Sequence, residues 1–412
     1  MIGIYRLLTR AAYAVIYVLR RHSALAGREL WRGRLGLIPD VGDKDVWIHA
    51  ASVGETRVVG YLVNYLRGRR AGIRIHVTVV TEAGFNTAVK LFPPEVTVSY
   101  FPLDARRAMA RTFDMIRPKL LAVAETEIWP NLVLEAAERR VPLILVNGRM
   151  SARAYRRYRL VRKSLARLLV TYDRFFLKTD VAQRRFAYFS VSADKSMVAG
   201  DMKFDAPLQE RSEGRIKEIR YRVGVADDEF LVVAGSTRSG EEAHLLGAYR
   251  TLKATCPKLR LLLAPRHVER TDEITALLKE HDQPYYRYGT SGVPEGVIVL
   301  DRMGLLNELY LAGDIAFVGG TLVDRGGHNL LEPVWAGRPV LFGPFVSNVR
   351  EAAEYILEHG YGARVSSGDD LLRTLTAVVQ GDRTFRTKTT ADLVHSAAAV
   401  AGDYILEKLR DV

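Results

Sequence analysis

The chain has 412 residues, with 60 Lys and Arg against 47 Asp and Glu for a formal net charge of +13, and a single cysteine. That length accommodates about two to three domains, and the ordinary hydrophobic content excludes extended disorder. The lone Cys256 excludes an intramolecular disulfide and any cysteine-based zinc cluster. The charge asks for an anionic partner: nucleic acid, an acidic membrane surface or a phosphorylated substrate.

The first residues, MIGIYRLLTRAAYAVIYVLRR, are apolar but interrupted. Arg6 and Arg10 stand one helical turn apart, and the uninterrupted apolar run Ala11–Leu19 is nine residues long. A free-standing span needs roughly 20 apolar residues. Residues 1–22 therefore read as a helix lying in a membrane interface or packed on its own domain. Arg20 and Arg21 extend a basic flank and favour membrane contact, with the body of the protein on the cytoplasmic side. No small-residue cleavage site follows cleanly, which argues against a removed signal peptide.

Beyond this helix, short apolar runs alternate with helical patterns: residues 45–51, 73–81, 96–102, 120–125, 143–148 and 174–179. Continuous apolar strands separated by helices predict a parallel sheet covered on both faces. Residues 206–229 turn polar and charged, with a short helix expected at Arg215–Tyr221, and form the best linker. The alternation restarts with runs at 230–236, 259–265, 296–301, 315–320 and 339–344. The expected fold is α/β: two Rossmann-like αβα domains, 23–205 and 206–412. Ligands in such sheets bind at the carboxyl ends of strands, and two facing domains place the default site in the cleft between them.

Polar clusters follow the strands. After WIHAA comes SVGE, in which Ser52 and Glu55 have capping-box spacing. Four residues alone favour a simple cap. The competing reading is a general base at a helix start, and capping would lower the carboxylate's pKa and weaken it as a base. In ETEIWP, Glu125 and Glu127 share a face if the strand continues. If it ends at Glu125 they diverge, one functional or paired and the other solvated. After MVAG, Lys203 in DMKFD stands between Asp201 and Asp205, which alone reads as a surface ion pair. Pro265-Arg266-His267 places an Arg at the ligand edge, equally consistent with a surface pair and with an anion clamp. STRSGEE, with Gly240 before a helix, reads as an anion-binding helix start.

The stretch RGGHNLLEP is the most pointed of these. Gly319, Gly320, Gly326 and Gly327 allow close backbone approach to a ligand, and Asn329 would open a helix whose dipole favours phosphate. Glu332 closes a cap or accepts sugar hydroxyls. A phosphate grip beside a hydroxyl acceptor describes a nucleotide site. Residues 149–174 add nine basic side chains against one acid, with apolar residues at helical spacing. That predicts one buried face and one basic face. No nucleic-acid motif accompanies it, so no nucleic-acid partner is expected.

Taken as a set, HAASVGE (49–55), ETEIWPN (125–131), NGRMSARAY (147–155), GDMKFD (200–205), GSTRSGEE (235–242), APRHVER (264–270), FVGGTLVDRGGHNLLEP (317–333) and FGP (342–344) resemble the Kdo transferases. These bacterial enzymes move 3-deoxy-D-manno-octulosonic acid (Kdo) from CMP-Kdo to a lipid A precursor. The resemblance implies a GT-B fold and an inverting reaction without a required metal or cofactor. It also implies lipopolysaccharide biosynthesis at the cytoplasmic face of the cell inner membrane. By motif, Glu55 matches the general base, while Glu125 and Lys203 match transition-state stabilisers. Pro265, Arg266, Met303, Gly304, Leu305, Asn329, Leu330, Leu331 and Glu332 match the CMP-binding segments. Departures are Gly148, where Ala is common, and Asp201 before the Met-Lys pair. Rival readings are another GT-B enzyme using a different nucleotide sugar, or a non-catalytic membrane-bound polyanion-binding protein.

Overall fold

The computed structural model describes residues 2–21, 29–206, 208–209, 211–290, 295–394 and 396–411. By compactness the chain divides into two units, Met1–Ala206 together with Leu393–Val412, and Pro207–Asp392. The expected boundary between residues 22 and 23 lies outside the described residues.

Among the described residues, the first unit holds a seven-stranded parallel sheet. Its strands are β1 (Lys44–Ala50), β2 (Ile75–Val79), β3 (Thr97–Tyr100), β4 (Pro118–Ala124), β5 (Leu143–Gly148), β6 (Arg174–Leu177) and β7 (Ser196–Val198). Their order is β3-β2-β1-β4-β5-β6-β7. Alternate residues of β1 feed two separate cores. Val46, Ile48 and Ala50 pack with Val59, Leu62 and Leu66 of the helix Val53–Arg69, whereas Trp47 packs with Phe113, Leu132 and Leu165. Both faces of the sheet are therefore covered, which is why its strands read as continuous apolar runs.

The second unit repeats the architecture with β8 (Phe230–Thr237), β9 (Leu259–Pro265), β10 (Tyr285–Arg287), β11 (Val297–Val299), β12 (Ile315–Val318), β13 (Val340–Phe342) and β14 (Gly362–Arg364), in the order β10-β11-β9-β8-β12-β13-β14. Strands β10 and β14 fall outside the expected set. In each sheet the chain builds outward on one side and then crosses to the other. The reversal falls between β1 and β4 in the first sheet and between β8 and β12 in the second. Crevices at such points are where doubly wound sheets bind ligands.

One expected domain limit is corrected. The last residues leave the second unit and return to the first. The helix Ala397–Lys408 buries Ala397, Ala398, Ala401 and Ile405 in the same core as Val59 and Leu62. Its first turn is anchored by Asp205, whose Oδ2 accepts the amide of Ala398 at 2.7 Å. Gly402 meets the ring of Tyr65, which a side chain at 402 would strike. The linker helix is longer than expected, Glu213–Arg222, and buries Ile219 and Arg220 within the second unit.

The helix Ile2–Arg21 is continuous. Tyr13 is buried and donates to Leu35 O at 2.9 Å, Tyr5 donates to Asp104 at 2.8 Å, and Arg6 pairs with Glu138 at 3.3 Å. One face is thus docked on the first unit. The other exposes Ile4, Leu7, Leu8, Val15, Val18 and Leu19. By length and composition, residues Ile2–Arg20 are long and apolar enough to cross a membrane.

Candidate active site

At the end of β1, Ser52 caps the helix Val53–Arg69, its Oγ accepting the amide of Glu55 at 3.3 Å. The Glu55 carboxylate turns back to accept the amide of Ala51 at 2.8 Å and the Ser52 hydroxyl at 3.1 Å. The cap is therefore real, and its hydrogen bonds lower the carboxylate's pKa as expected, but burial outweighs them. Glu55 is only 9% exposed. Burial raises its pKa from 4.5 to about 7, against those two hydrogen bonds, and repulsion from Glu127 and Glu125 adds to the rise. A carboxyl poised there is matched to general base work at neutral pH.

Glu125 follows β4 with φ +56°, a left-handed conformation that turns the chain out of the sheet. Its two oxygens take different cations: Arg149 Nε lies 2.6 Å from Oε2 and Lys178 Nζ lies 3.2 Å from Oε1. Glu127, two residues on, is half-buried rather than solvated and lies close enough to feel the charge of Glu125. Burial raises its pKa, and the charge of Glu125 adds to the effect. Three carboxyl groups are thus gathered by the switch point of the first sheet.

Lys203 sits on the 3-10 turn Met202–Phe204, which is capped by Asp201. Asp201 is not a surface partner. Its side chain is 9% exposed and bridges Lys178 at 3.1 Å and Lys203 at 3.5 Å. Asp205, the other expected partner, accepts the amide of Ala398. Asn147, at φ +54°, interrupts the β5–β6 register and accepts the amide of Met202 at 2.9 Å. A bulge of this kind re-aims a side chain, here so that it fixes the lysine-bearing turn.

In the second unit a cavity of about 390 Å³ lies at the carboxyl ends of β8, β9 and β11. Of the residues expected from sequence, Pro265, Arg266, Met303, Gly304, Asn329 and Glu332 line it, and Ser236, Arg302 and His328 join them. Leu305, Leu330 and Leu331 are absent from the lining. Leu330 and Leu331 are buried in the protein core, so their side chains are unavailable to a ligand. The helix expected to begin at Asn329 begins at Leu331 and runs five residues, too short for a strong dipole. Asn329 instead donates to Glu332 Oε1 at 3.0 Å and accepts the Leu331 amide at 3.2 Å. Burial raises the Glu332 pKa, partly offset by Asn329 and Arg266.

Arg266 and Arg302 bring positive charge to this lining. Arg238 donates to His328 Nε2 at 3.1 Å and lies 2.9 Å from His267 Nε2. Burial, with the charges of Arg238, Arg266 and His267, pushes His328 down to about 4. His328 is thus neutral at pH 7 and accepts from Arg238.

One glycine-rich reading is corrected. A side chain at Gly319 would meet Ser236 O at 2.4 Å, and one at Gly326 would meet Asn348 at 2.3 Å. Their close approaches are to the protein itself. In the first turn after Gly240, Glu241 accepts the amides of Arg238, Gly320, Thr321 and Leu322 at 2.7–2.9 Å, and so ties this helix to the loop after β12. Glu242 beside it pairs with Arg270 at 2.8 Å.

The family model described as 3-deoxy-D-manno-octulosonic-acid transferase matches residues 29–206. The 3-deoxy-D-manno-octulosonic acid transferase of Haemophilus influenzae is 33% identical over 364 residues, covering 87% of this chain and 84% of that protein. The chain belongs to the Kdo transferase family. The Kdo transferase of Aquifex aeolicus is 30% identical over 89% of this chain and 93% of its own length. A bifunctional glycosyltransferase/methyltransferase of Fusobacterium nucleatum is 35% identical over 82% of this chain, which spans only 53% of that longer protein. Among solved structures, UDP-GlcNAc 2-epimerase from Neisseria meningitidis is 13% identical with a TM-score of 0.52 over 90% of this chain and all of its own. That likeness concerns the fold and supports the GT-B class.

As a Kdo transferase the chain is a glycosyltransferase of lipopolysaccharide biosynthesis. Sequence reasoning assigned no role to Lys178, Arg149 or His328. Lys178 did carry a signal, since it directly follows the apolar run that becomes β6, at the same carboxyl edge as the residues that were singled out.

Proposed function

We propose that the protein transfers Kdo from CMP-Kdo to a phosphorylated lipid A precursor, with inversion at the anomeric carbon. The observation that carries this reading is Glu55, a carboxyl held near pH 7 at the switch point of the first sheet. It removes the proton from an acceptor hydroxyl as that oxygen bonds to the anomeric carbon of Kdo. The bond from that carbon to the CMP phosphate breaks on the opposite face, and CMP leaves with the electron pair. The anomeric carbon also bears a carboxylate, so the reaction needs fixed positive charge near developing and existing negative charge. Lys203 supplies a cation, and Glu125 faces the electron-poor centre. The cavity lined by Arg266, Asn329 and Glu332 holds the nucleotide. Arg266 serves the phosphate, and Glu332 accepts from ribose hydroxyls.

The acceptor carries acyl chains, and the same reading places the protein on the cytoplasmic face of the inner membrane. Support comes from the exposed apolar face of Ile2–Arg21. It comes also from the helices Ala152–Arg159 and Arg162–Leu169, which carry exposed Arg156, Arg157, Arg159 and Lys163. Incubation with CMP-Kdo and a tetra-acylated, bisphosphorylated acceptor, read by mass spectrometry, tests donor and acceptor together. Acceptor left unmodified under these conditions, with transfer from UDP- or GDP-sugars instead, would reject the assignment.

A further inference from the structure

Lys178 stands at the end of β6, its backbone amide bonded to Gly148 O at 2.9 Å. Its side chain is 13% exposed, an unusual degree of burial for a lysine unless it is paired. It is paired twice. Nζ lies 3.2 Å from Glu125 Oε1 and 3.1 Å from Asp201 Oδ2. Asp201 in turn lies 3.5 Å from Lys203 Nζ, and its Oδ1 accepts the Lys203 amide at 3.0 Å. An unbroken chain of contacts, Glu125–Lys178–Asp201–Lys203, therefore joins the two residues to which a stabilising role is proposed.

We propose that Lys178 is a positioning residue that couples Glu125 to Lys203 through Asp201. The inference rests on the Kdo transfer reading, because it concerns how that site is held. Three features favour this over a merely structural pair. A buried ion pair stabilises a fold weakly at best, since desolvation offsets most of the attraction. A single ammonium shared by two carboxylates fixes both at once, which a pair cannot do. The backbone at both ends is also specialised, with Glu125 in a left-handed conformation and the turn of Lys203 held by Asn147. With Lys178 in place, the charge of Asp201 is divided between two lysines. Without it, Asp201 is left to Lys203 alone and draws that ammonium down, while Glu125 keeps only Arg149, whose side chain is 62% exposed.

The test uses the full-length protein with CMP-Kdo and the lipid acceptor. Lys178→Met keeps the apolar stem and removes the charge. It should lower kcat by about ten- to a hundredfold, the size expected for misplacing a reacting group by an ångström or less. The KM for CMP-Kdo should stay within about twofold, because the nucleotide pocket is on the other unit. The acidic limb of the rate–pH profile should move upward, since Glu125, which with Glu127 faces Glu55 from the turn after β4, loses the cation that offsets its charge. Lys178→Arg should restore much of the rate. The decisive variant is Lys178→Met with Asp201→Ser. Serine retains a capping oxygen for the turn and removes the unbalanced charge, so the double variant should be faster than Lys178→Met alone. Thermal melts identify any variant that fails to fold.

If Lys178→Met transfers Kdo at the wild-type rate with an unmoved pH limb, the inference is overturned. It is equally overturned if the double variant is as slow as the single one. A wild-type protein that transfers no Kdo would instead reject the functional reading itself, which separates the two failures.

Discussion

Ser52 both caps the helix that carries Glu55 and donates its own hydroxyl to the Glu55 carboxylate at 3.1 Å. One serine thus fixes the helix start and the Glu55 carboxylate together. The carboxyl nevertheless has its pKa raised to about 7, because burial outweighs both bonds it accepts.

That shift predicts opposite effects on rate and stability. Transfer should rise as pH increases toward about 7, when Glu55 ionises. For stability, the folded pKa lies above the unfolded one, so the native state favours the protonated form. Its contribution is complete below about 4.5 and is lost as pH rises through about 7. Glu55→Gln mimics the neutral form and should abolish transfer while melting higher than wild type at pH 8. Wild-type turnover in this variant would show that another group is the base. A melting point equal to or below wild type at pH 8 would show that the carboxyl is not strained in the fold.

For the donor pocket, Arg266→Ala and Glu332→Ala should each weaken CMP binding by about 1–3 kcal/mol, as expected on losing a charge-assisted hydrogen bond. Leu330→Val should leave CMP affinity unchanged, because that side chain lies in the core. Calorimetry with CMP separates the three. Equal affinity in all of them would move the nucleotide elsewhere.

How much of this was legible beforehand follows from where the information is stored. The apolar runs announced strands β1–β6, because strand periodicity is a local property. The carboxyl-edge rule drew attention to Glu55, Glu125, Lys203 and Arg266, but the residues alone read Glu55 as a cap and Lys203 as a surface pair, and only the family resemblance offered them roles. The return of Ala397–Lys408 to the first unit was not legible. Its small residues fit any helix-packing surface, and only Asp205 and Tyr65 decide which one. Gly319 could be seen to be needed, but whether for a ligand or for Ser236 O depends on a partner 83 positions away in sequence. The raised pKa of Glu55 was hidden for the same reason. Its hydrogen bonds are local and visible in SVGE, whereas its burial and the neighbouring Glu125 and Glu127 come from the fold.

The returning helix supplies a stability prediction. Ile405 is fully buried against the helix Val53–Arg69. Ile405→Ala should therefore cost about 2–5 kcal/mol, the range for removing buried aliphatic bulk. Leu375→Ala should cost a similar amount in the second unit, where Leu375 is buried. The decisive comparison is CMP binding at a temperature where the first unit of Ile405→Ala has melted. Retained affinity would show that residues 393–412 support only the first unit. Loss of CMP binding in step with that transition would contradict the assignment.

The membrane reading yields the last prediction. Removing residues 2–21 outright would also strip Tyr13 from Leu35 and Tyr5 from Asp104, so lost binding could reflect a damaged domain. Leu8, Val15 and Leu19 are exposed, and replacing them with Gln removes apolar surface without touching those contacts. This triple variant should bind anionic liposomes more weakly, yet retain a part that falls with salt, because the net charge of +13 still attracts it. Neutralising Arg156, Arg157 and Arg159 as well should remove most of the remainder, at roughly 1 kcal/mol per basic residue near the surface. The basic face also carries an apolar side chain, for Leu160 is 84% exposed at the corner between the helices Ala152–Arg159 and Arg162–Leu169. Its salt dependence should therefore be incomplete, and Leu160→Ser should make it steeper. Liposome flotation across a salt series reads all of these changes. If the Gln variant loses all binding at low salt, the basic face is an ordinary solvated surface. If neither set of substitutions has an effect, the membrane contact does not involve these helices.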